Sequence, residues 1–387
     1  MLQDHDIIIF GDDWGRHPST IQHIARVLSK SNRILWVSSL GLRQPRLRFY
    51  DLKRIFGKFK KIVSPVGYQQ TDVNIFVVHP FVFPFYDIKI IREINKLLLR
   101  KKILRKMRML NFSNILLLIS TPIAADLVGT LGESSSYYLC LDDYSRFDNV
   151  YRSILPMERQ VLNQVSGCFS ISDVLLQTRK CKSGENHYLP QGVDYEHFSL
   201  ITKEIPGQIK EIKKPIIGFF GLISSWIDVD LVRECANTYP SLSFVLIGKA
   251  NFDLSTYLNV QNMFLLGEVP YELLPGYAQK FDVGIVPFIV NDLTKAANPI
   301  KILEYLSLGL PVVSTNLPEA EKFSDLIYIA ENREEFIAHI KLALENDNPD
   351  KKIKRQLKVR QYSWIATCEI LSQHIQRIEN ELRICNK

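Results

Sequence analysis

Two successive series of short apolar runs, each run followed by helical periodicity, constrain this chain more than any other feature of its sequence. The first series reads "DIIIF", "RILWVSS", "VNIFVVHP", "NILLLIS", "SYYLCLDD" and "GCFSIS". The second reads "PIIGFFG", "SFVLIG", "MFLLGEV", "DVGIVPF" and "PVVST". Buried strands alternating with helices predict α/β architecture with parallel sheets. Between the two series lie "YLPQGVDYEHF" (188–198) and the charged, strand-poor "ITKEIPGQIKEIKKP", which reads as an interdomain linker. The expectation is therefore two Rossmann-like, doubly wound domains in series. Such sheets bind ligands at the carboxyl ends of their strands, so two facing sheets would share one cleft.

Length and composition agree with this reading and remove several others. A chain of 387 residues is comfortable for two cores, and 46% hydrophobic with 23% charged residues describes an ordinary folded protein. Its six cysteines lie far apart with no C-x-x-C pair, against a zinc site and against a secreted disulfide framework. The first residues carry Asp4 and Asp6 and only a short apolar run, unlike a signal peptide, and no stretch of 18 apolar residues occurs. A cytoplasmic location is expected, with no metal and no resident cofactor.

Charge is unevenly spread. Residues 1–110 hold 21 Lys+Arg against 8 Asp+Glu, a net +13, while the whole chain carries +7. Residues 87–110 alone hold nine Lys+Arg against Asp87 and Glu93. From Ile88 to Leu99 the pattern is amphipathic, with Ile90, Ile91, Ile94, Leu97 and Leu98 on one face and Lys89, Arg92, Lys96 and Arg100 opposite. After Arg100 the apolar stripe jumps, which predicts a break or two helices. The bland reading packs the apolar face on a sheet. The sharper one, joined by "RQPRLRFYDLKRIFGKFKK" (43–61), rests it on acidic lipid headgroups. No aromatic residue interleaves the charges from 88 to 110, and no nucleic-acid motif appears, so nucleic acid is not expected as a partner.

Two segments carry candidate chemistry. The opening strand empties into a loop crowded with Asp12, Asp13, Trp14, Arg16 and His17, ahead of a helix expected over Ser19–Ser29. So many large polar side chains either pack against the chain or meet a ligand. In "NDLTKAANPIKILEYLSLGLPVVST" (291–315), Asn298 as N-cap and Pro299 as first helical residue predict a helix start. Lys301 then sits in the first turn, where the helix dipole disfavours a cation unless an anion docks there too. Glu304 lies on the same face, about 5–6 Å away between Cβ atoms. A nucleotide-sugar clamp and a surface ion pair explain the two residues equally well.

Resemblance separates them. The 291–315 segment is similar to the donor-binding region of group 1 glycosyltransferases of the GT-B fold. "IIGFFGLISSWIDVDLV" resembles their glycine loop, "LPQGVDYEHF" their junction signature, and "RQYSWIATCEILSQHI" the helix that crosses back to the first domain. The resemblance implies an acceptor domain at 1–198, completed by helix 363–387, and a donor domain at 199–362. It implies donor contacts from Gly221, Leu222 and Ser224, from Lys249, from Gly267 and Val269 beside the base, and from Asn298. Lys301 would hold the diphosphate and Glu304 the ribose hydroxyls. Asp13, Trp14, Arg16 and His17 would line the acceptor side. Ala296 stands where retaining members carry a first glutamate, which leaves the stereochemical course open. Inversion needs a base, and Asp142 or Asp143 in "YYLCLDDYSRF" stands where xanthan-type glucuronosyltransferases place theirs. The function so implied is transfer of a sugar from a UDP- or GDP-linked donor to a lipid-linked or polysaccharide acceptor, at an acidic membrane surface. A GT-B-fold sugar-nucleotide epimerase and a non-catalytic nucleotide-sugar-binding scaffold are the alternatives.

Overall fold

A computed structural model of the chain describes residues 1–15, 18–41, 69–72, 74–147, 150–200, 207–257 and 259–385. Arg16, His17 and the basic 43–61 segment lie outside the described residues. Two compact units emerge: Met1–Leu189 with Thr367–Lys387, and Pro190–Ala366.

The first unit is built on a sheet of eight strands: β1 (Asp6–Phe10), β2 (Arg33–Val37), β3 (Gln69–Asp72), β4 (Ile75–Val78), β5 (Ile115–Ile119), β6 (Ser135–Cys140), β7 (Gly167–Ser170) and β8 (Glu185–Tyr188). Their order is β3-β4-β2-β1-β5-β6-β7-β8, and all neighbours pair in parallel except β3, which runs antiparallel to β4. All five residues of β1 are buried, as are all five of β5, because central parallel strands are covered on both faces. Sequence order reverses between β1 and β5, so the loops after these two strands flank the switch point where open α/β sheets bind ligands.

Helices α1 (Thr20–Leu28), α2 (Lys89–Met109), α3 (Ile154–Gln164) and α4 (Asp173–Thr178) belong to this unit. Helix α2 departs from its sequence pattern in two ways. It runs unbroken for 21 residues, and its buried stripe is Asn95, Leu99, Ile103 and Met107. Ile90, Ile94, Leu97 and Leu98 face outward instead. Asn95 explains the inversion: its amide accepts from Phe83 N and donates to Phe83 O, both at 2.8 Å, so this polar side chain is satisfied inside the unit. Arg92, on the expected polar face, forks onto Asp126 at 3.0 and 2.6 Å. The i, i+4 stripe from Asn95 to Met107 is continuous, which is why no break follows Arg100.

The second unit carries a six-stranded, all-parallel sheet of β9 (Ile216–Phe220), β10 (Ser243–Ile247), β11 (Met263–Gly267), β12 (Val283–Val286), β13 (Val312–Thr315) and β14 (Tyr328–Ala330), ordered β11-β10-β9-β12-β13-β14. Its switch point falls between β9 and β12. Helix α5 (Ile300–Leu308) leads from β12 to β13 and buries Leu303, Tyr305 and Leu306. Phe198 of the junction segment "LPQGVDYEHF" packs in the core of this unit and stacks on Phe220 at 5.8 Å. The last helix, α6 (Trp364–Cys385), sends Cys368, Leu371, Ile375 and Ile378 into the core of the first unit. There its Glu379 accepts from Ser135 at 2.9 Å and pairs with His5.

Candidate active site

In the second unit, three glycines line the carboxyl ends of neighbouring strands. Gly221, Gly248 and Gly267 end β9, β10 and β11 with φ of +145°, +146° and +73°, backbone that side chains rarely adopt. Gly221 N donates to Ile247 O at 2.8 Å and Gly248 N to Gly267 O at 2.7 Å. A Cβ at Gly248 would overlap the Gly221 carbonyl, so only glycine permits this close lateral approach. The result is a glycine-lined ledge that starts at the switch point, half-buried at Gly221 and Gly248 and exposed at Gly267.

Lys301 and Glu304 meet that ledge. Lys301 Nζ donates to Glu304 Oε2 at 2.6 Å and stands 4.6 Å from the Phe220 ring centroid. A Cβ on Gly221 would lie 3.1 Å from Lys301 Cε, so the lysine stem runs alongside the glycine loop. Glu304 is only 4% exposed, and burial pushes its carboxyl up against the pull of Lys301. A buried carboxylate costs several kcal/mol unless paired. The pair is therefore a concentrated, part-exposed cation backed by an acceptor. It suits a ligand that brings an anion and hydroxyl donors together.

Other expected donor residues are placed unevenly. Leu222 is exposed, and Ser224 is buried with its hydroxyl accepting from Asn251 at 3.3 Å. Lys249 is exposed, and among the described residues its ammonium has no partner. Gly267 is exposed, while Val269 is half-buried against the core. Asn298 corrects the capping expectation: α5 starts at Ile300 with Pro299 in the cap position, extended at φ −74° and ψ 98°, and no side-chain cap. The Asn298 amide donates instead to the buried Glu319 at 3.2 Å, a residue the sequence reading did not single out. Ala296 is buried.

The first unit gathers a second group of side chains at the carboxyl end of β6. Asp143 accepts from Ser145 N at 3.1 Å, from the Ser145 hydroxyl, and from Arg179 Nη2 at 2.6 Å. Arg179 Nε donates to Glu158 Oε2 at 2.8 Å, and Tyr138 donates to Glu158 Oε1 at 2.9 Å. Asp142 stands apart. Among the described residues, no hydrogen bond or ion pair reaches its carboxylate, and burial followed by the Asp143 charge pushes it up to about 7. Arg179 and Glu158 were not legible beforehand, because they come from other parts of the chain with no fixed spacing from the aspartates, whereas Tyr138 lies on β6 just ahead of them.

The opening loop is partly accounted for by packing. Gln22, 1% exposed on α1, donates to Asp12 Oδ1 at 2.7 Å and to Asp13 O at 3.4 Å, and accepts from Gly15 N at 3.2 Å. Trp36 Nε1 donates to Asp12 O at 3.0 Å. Trp14 sits edge-on to Trp36 with centroids 4.8 Å apart, and the Arg26 guanidinium lies 5.4 Å from its ring. Asp13 is exposed and Trp14 half-buried. Among the described residues, no group of three or more His, Cys, Asp or Glu is placed to hold a metal ion. Cys140, Cys168, Cys181, Cys235 and Cys368 are buried free thiols.

Residues 214–346 match the family described as "Glycosyl transferases group 1". The chain is 30% identical over 179 residues to a Bacillus subtilis (strain 168) protein named "Putative teichuronic acid biosynthesis glycosyltransferase TuaH". That match spans 44% of this chain and 45% of the relative, so the chain aligns with less than half of the curated relative's length. Over nearly the whole chain, the structure is similar to sucrose-phosphate synthase from Thermosynechococcus elongatus, with a TM-score of 0.70 at 11% identity, covering 97% of this chain and 99% of that one. It is also similar to HepE from Anabaena, solved in complex with UDP and glucose, with a TM-score of 0.67 at 14% identity, covering 96% and 100%. The match to the group 1 glycosyltransferase family thus falls within the second unit, and the two units are Rossmann-like domains of the kind found in the GT-B structural neighbours.

Proposed function

We propose that the protein is a glycosyltransferase of cell-surface glycan biosynthesis that uses a nucleoside diphosphate sugar. The observation that carries this reading is the Lys301–Glu304 pair beside the glycine ledge: one cation, one buried carboxylate and side-chain-free backbone at a sheet switch point. Lys301 would neutralise the leaving diphosphate and Glu304 would accept from the ribose hydroxyls. Charge held in place before the reaction supplies much of such an enzyme's rate. In the first unit Asp142 would take the proton from the acceptor hydroxyl, and Asp143, already engaged by Arg179 and Ser145, would not. Neither role asks for a metal ion or a resident cofactor. The donor base would be uracil or guanine. Calorimetric titration with UDP and with GDP tests the reading: one of the two should bind in the micromolar range, and binding of neither by the folded protein would overturn it.

The acceptor would be lipid-linked or polymeric, met at an acidic membrane surface. Support comes from the outward face of α2, where Ile88, Ile90 and Leu97 are 50%, 74% and 66% exposed and Lys89, Arg100, Lys101, Arg105 and Arg108 are exposed along the same helix. No helix among the described residues is long and apolar enough to cross a membrane, so contact there would be interfacial. The protein is expected to sediment with vesicles of phosphatidylcholine and phosphatidylglycerol but not with phosphatidylcholine alone. Leu97→Glu should weaken that binding by roughly tenfold or more. Equal sedimentation of the variant would remove α2 from the contact.

A further inference from the structure

The loop after β6 holds two adjacent aspartates that the fold treats oppositely, and the cause lies 36 residues away in the chain. Asp143 and Glu158 occupy the two edges of one guanidinium, Nη2 at 2.6 Å and Nε at 2.8 Å. Asp143, Glu158 and Arg179 are respectively 12%, 3% and 14% exposed at their side chains, so the fork is held with little competition from water. Tyr138 completes the satisfaction of Glu158. One cation thus serves two carboxylates, while the third, Asp142, is left without a partner among the described residues.

We propose that Arg179 is a positioning residue for the transfer reaction: by forking onto Asp143 and Glu158 it locks the loop after β6 and leaves Asp142 as that loop's uncommitted carboxylate among the described residues. The proposal rests on the transferase reading for its catalytic meaning. Asp143 is the charge that acts on Asp142 directly, Cys140 and Tyr144 lie beside it on the same segment, and Glu158 from α3, Arg179 after α4 and Asp12 after β1 act on those neighbours. Only Arg179 among these is a cation. Without it, the negative charge of Asp143 would act on Asp142 undiminished.

Carboxyl carbon NMR of the full chain, labelled at aspartate Cγ, reads this directly and needs no substrate. Asp142→Asn identifies the signal, which should titrate near pH 7. In Arg179→Met its midpoint should rise by about one unit, since the Asp143 carboxylate beside it is then no longer offset by a paired cation. In Asp143→Asn it should fall by about as much. Arg179→Lys, which keeps the charge without the fork, should rise less than Arg179→Met and decides the matter should the latter not fold. Midpoints unchanged in Arg179→Lys and Asp143→Asn would overturn the proposal, as would a wild-type protein with no aspartate titrating above pH 6. The parent reading is separated by nucleotide titration at the second unit. Absence of nucleotide binding with the NMR shifts intact would remove the transferase role and keep the proton control.

Discussion

Replacement of Asp142 by Asn is expected to abolish sugar transfer while making the folded protein more stable at neutral and alkaline pH. Loss of a positioned base lowers turnover by roughly 10²–10⁴-fold. The stability effect follows from the sign of the shift. In the folded chain burial holds the Asp142 carboxyl at about 7, whereas an unfolded aspartate releases its proton near pH 3.9. Between about pH 4 and 7 the native state therefore keeps a proton that the unfolded state has lost, and stability falls as pH rises through that window. A shift of about three units corresponds to about 4 kcal/mol, or about 2 kcal/mol once the solvent-facing part of this half-buried carboxyl is allowed for. Asparagine has no proton to lose, so the variant should gain about that much relative to wild type at pH 8 and nothing at pH 4. Urea unfolding of both proteins at the two pH values measures it. A pH-independent difference would mean that Asp142 is an ordinary carboxylate, and the base would have to be sought elsewhere.

Substitutions at Lys301 and Glu304 are expected to weaken donor binding through different parts of the nucleotide. A charge-assisted phosphate contact contributes about 1.5–3 kcal/mol, so Lys301→Ala should raise the Kd for the bound nucleoside diphosphate by roughly 10–100-fold. The free nucleoside, which has no phosphate, should be nearly unaffected. Glu304→Gln should weaken diphosphate and nucleoside alike, by about tenfold for one acceptor. Calorimetry with both ligands on both variants resolves the pattern. Equal losses for nucleoside and diphosphate in Lys301→Ala would show that the lysine only keeps Glu304 charged, which its 2.6 Å contact would also explain.

Much of the molecule could be read from the chain alone where the signal is local. The central strands were legible because β1, β5, β9 and β12 are covered on both faces and appear as unbroken apolar runs. β3, β8 and β14 passed unnoticed. Each lies at a sheet edge; "QQTD" and "ENHY" carry no apolar stretch, and "YIA" is only 3 residues long. Lys301 and Glu304 stood out because both lie within one helical turn, where spacing alone places them on one face.

Residue order by itself determined the two α/β series and the placing of Lys301 and Glu304 on one helical face, because each depends on periodicity within a few residues. Only the tertiary structure decided which face of α2 is buried. Two apolar stripes compete along that helix, and the inner one is chosen by a contact between Asn95 and the Phe83 backbone. Only the tertiary structure separated Asp142 from Asp143, since the distinction is made by Arg179 and Glu158, which β7, α3 and α4 bring to the loop from elsewhere in the chain. Burial and electrostatics depend on everything within several ångströms, and sequence neighbours are only a small part of that surrounding.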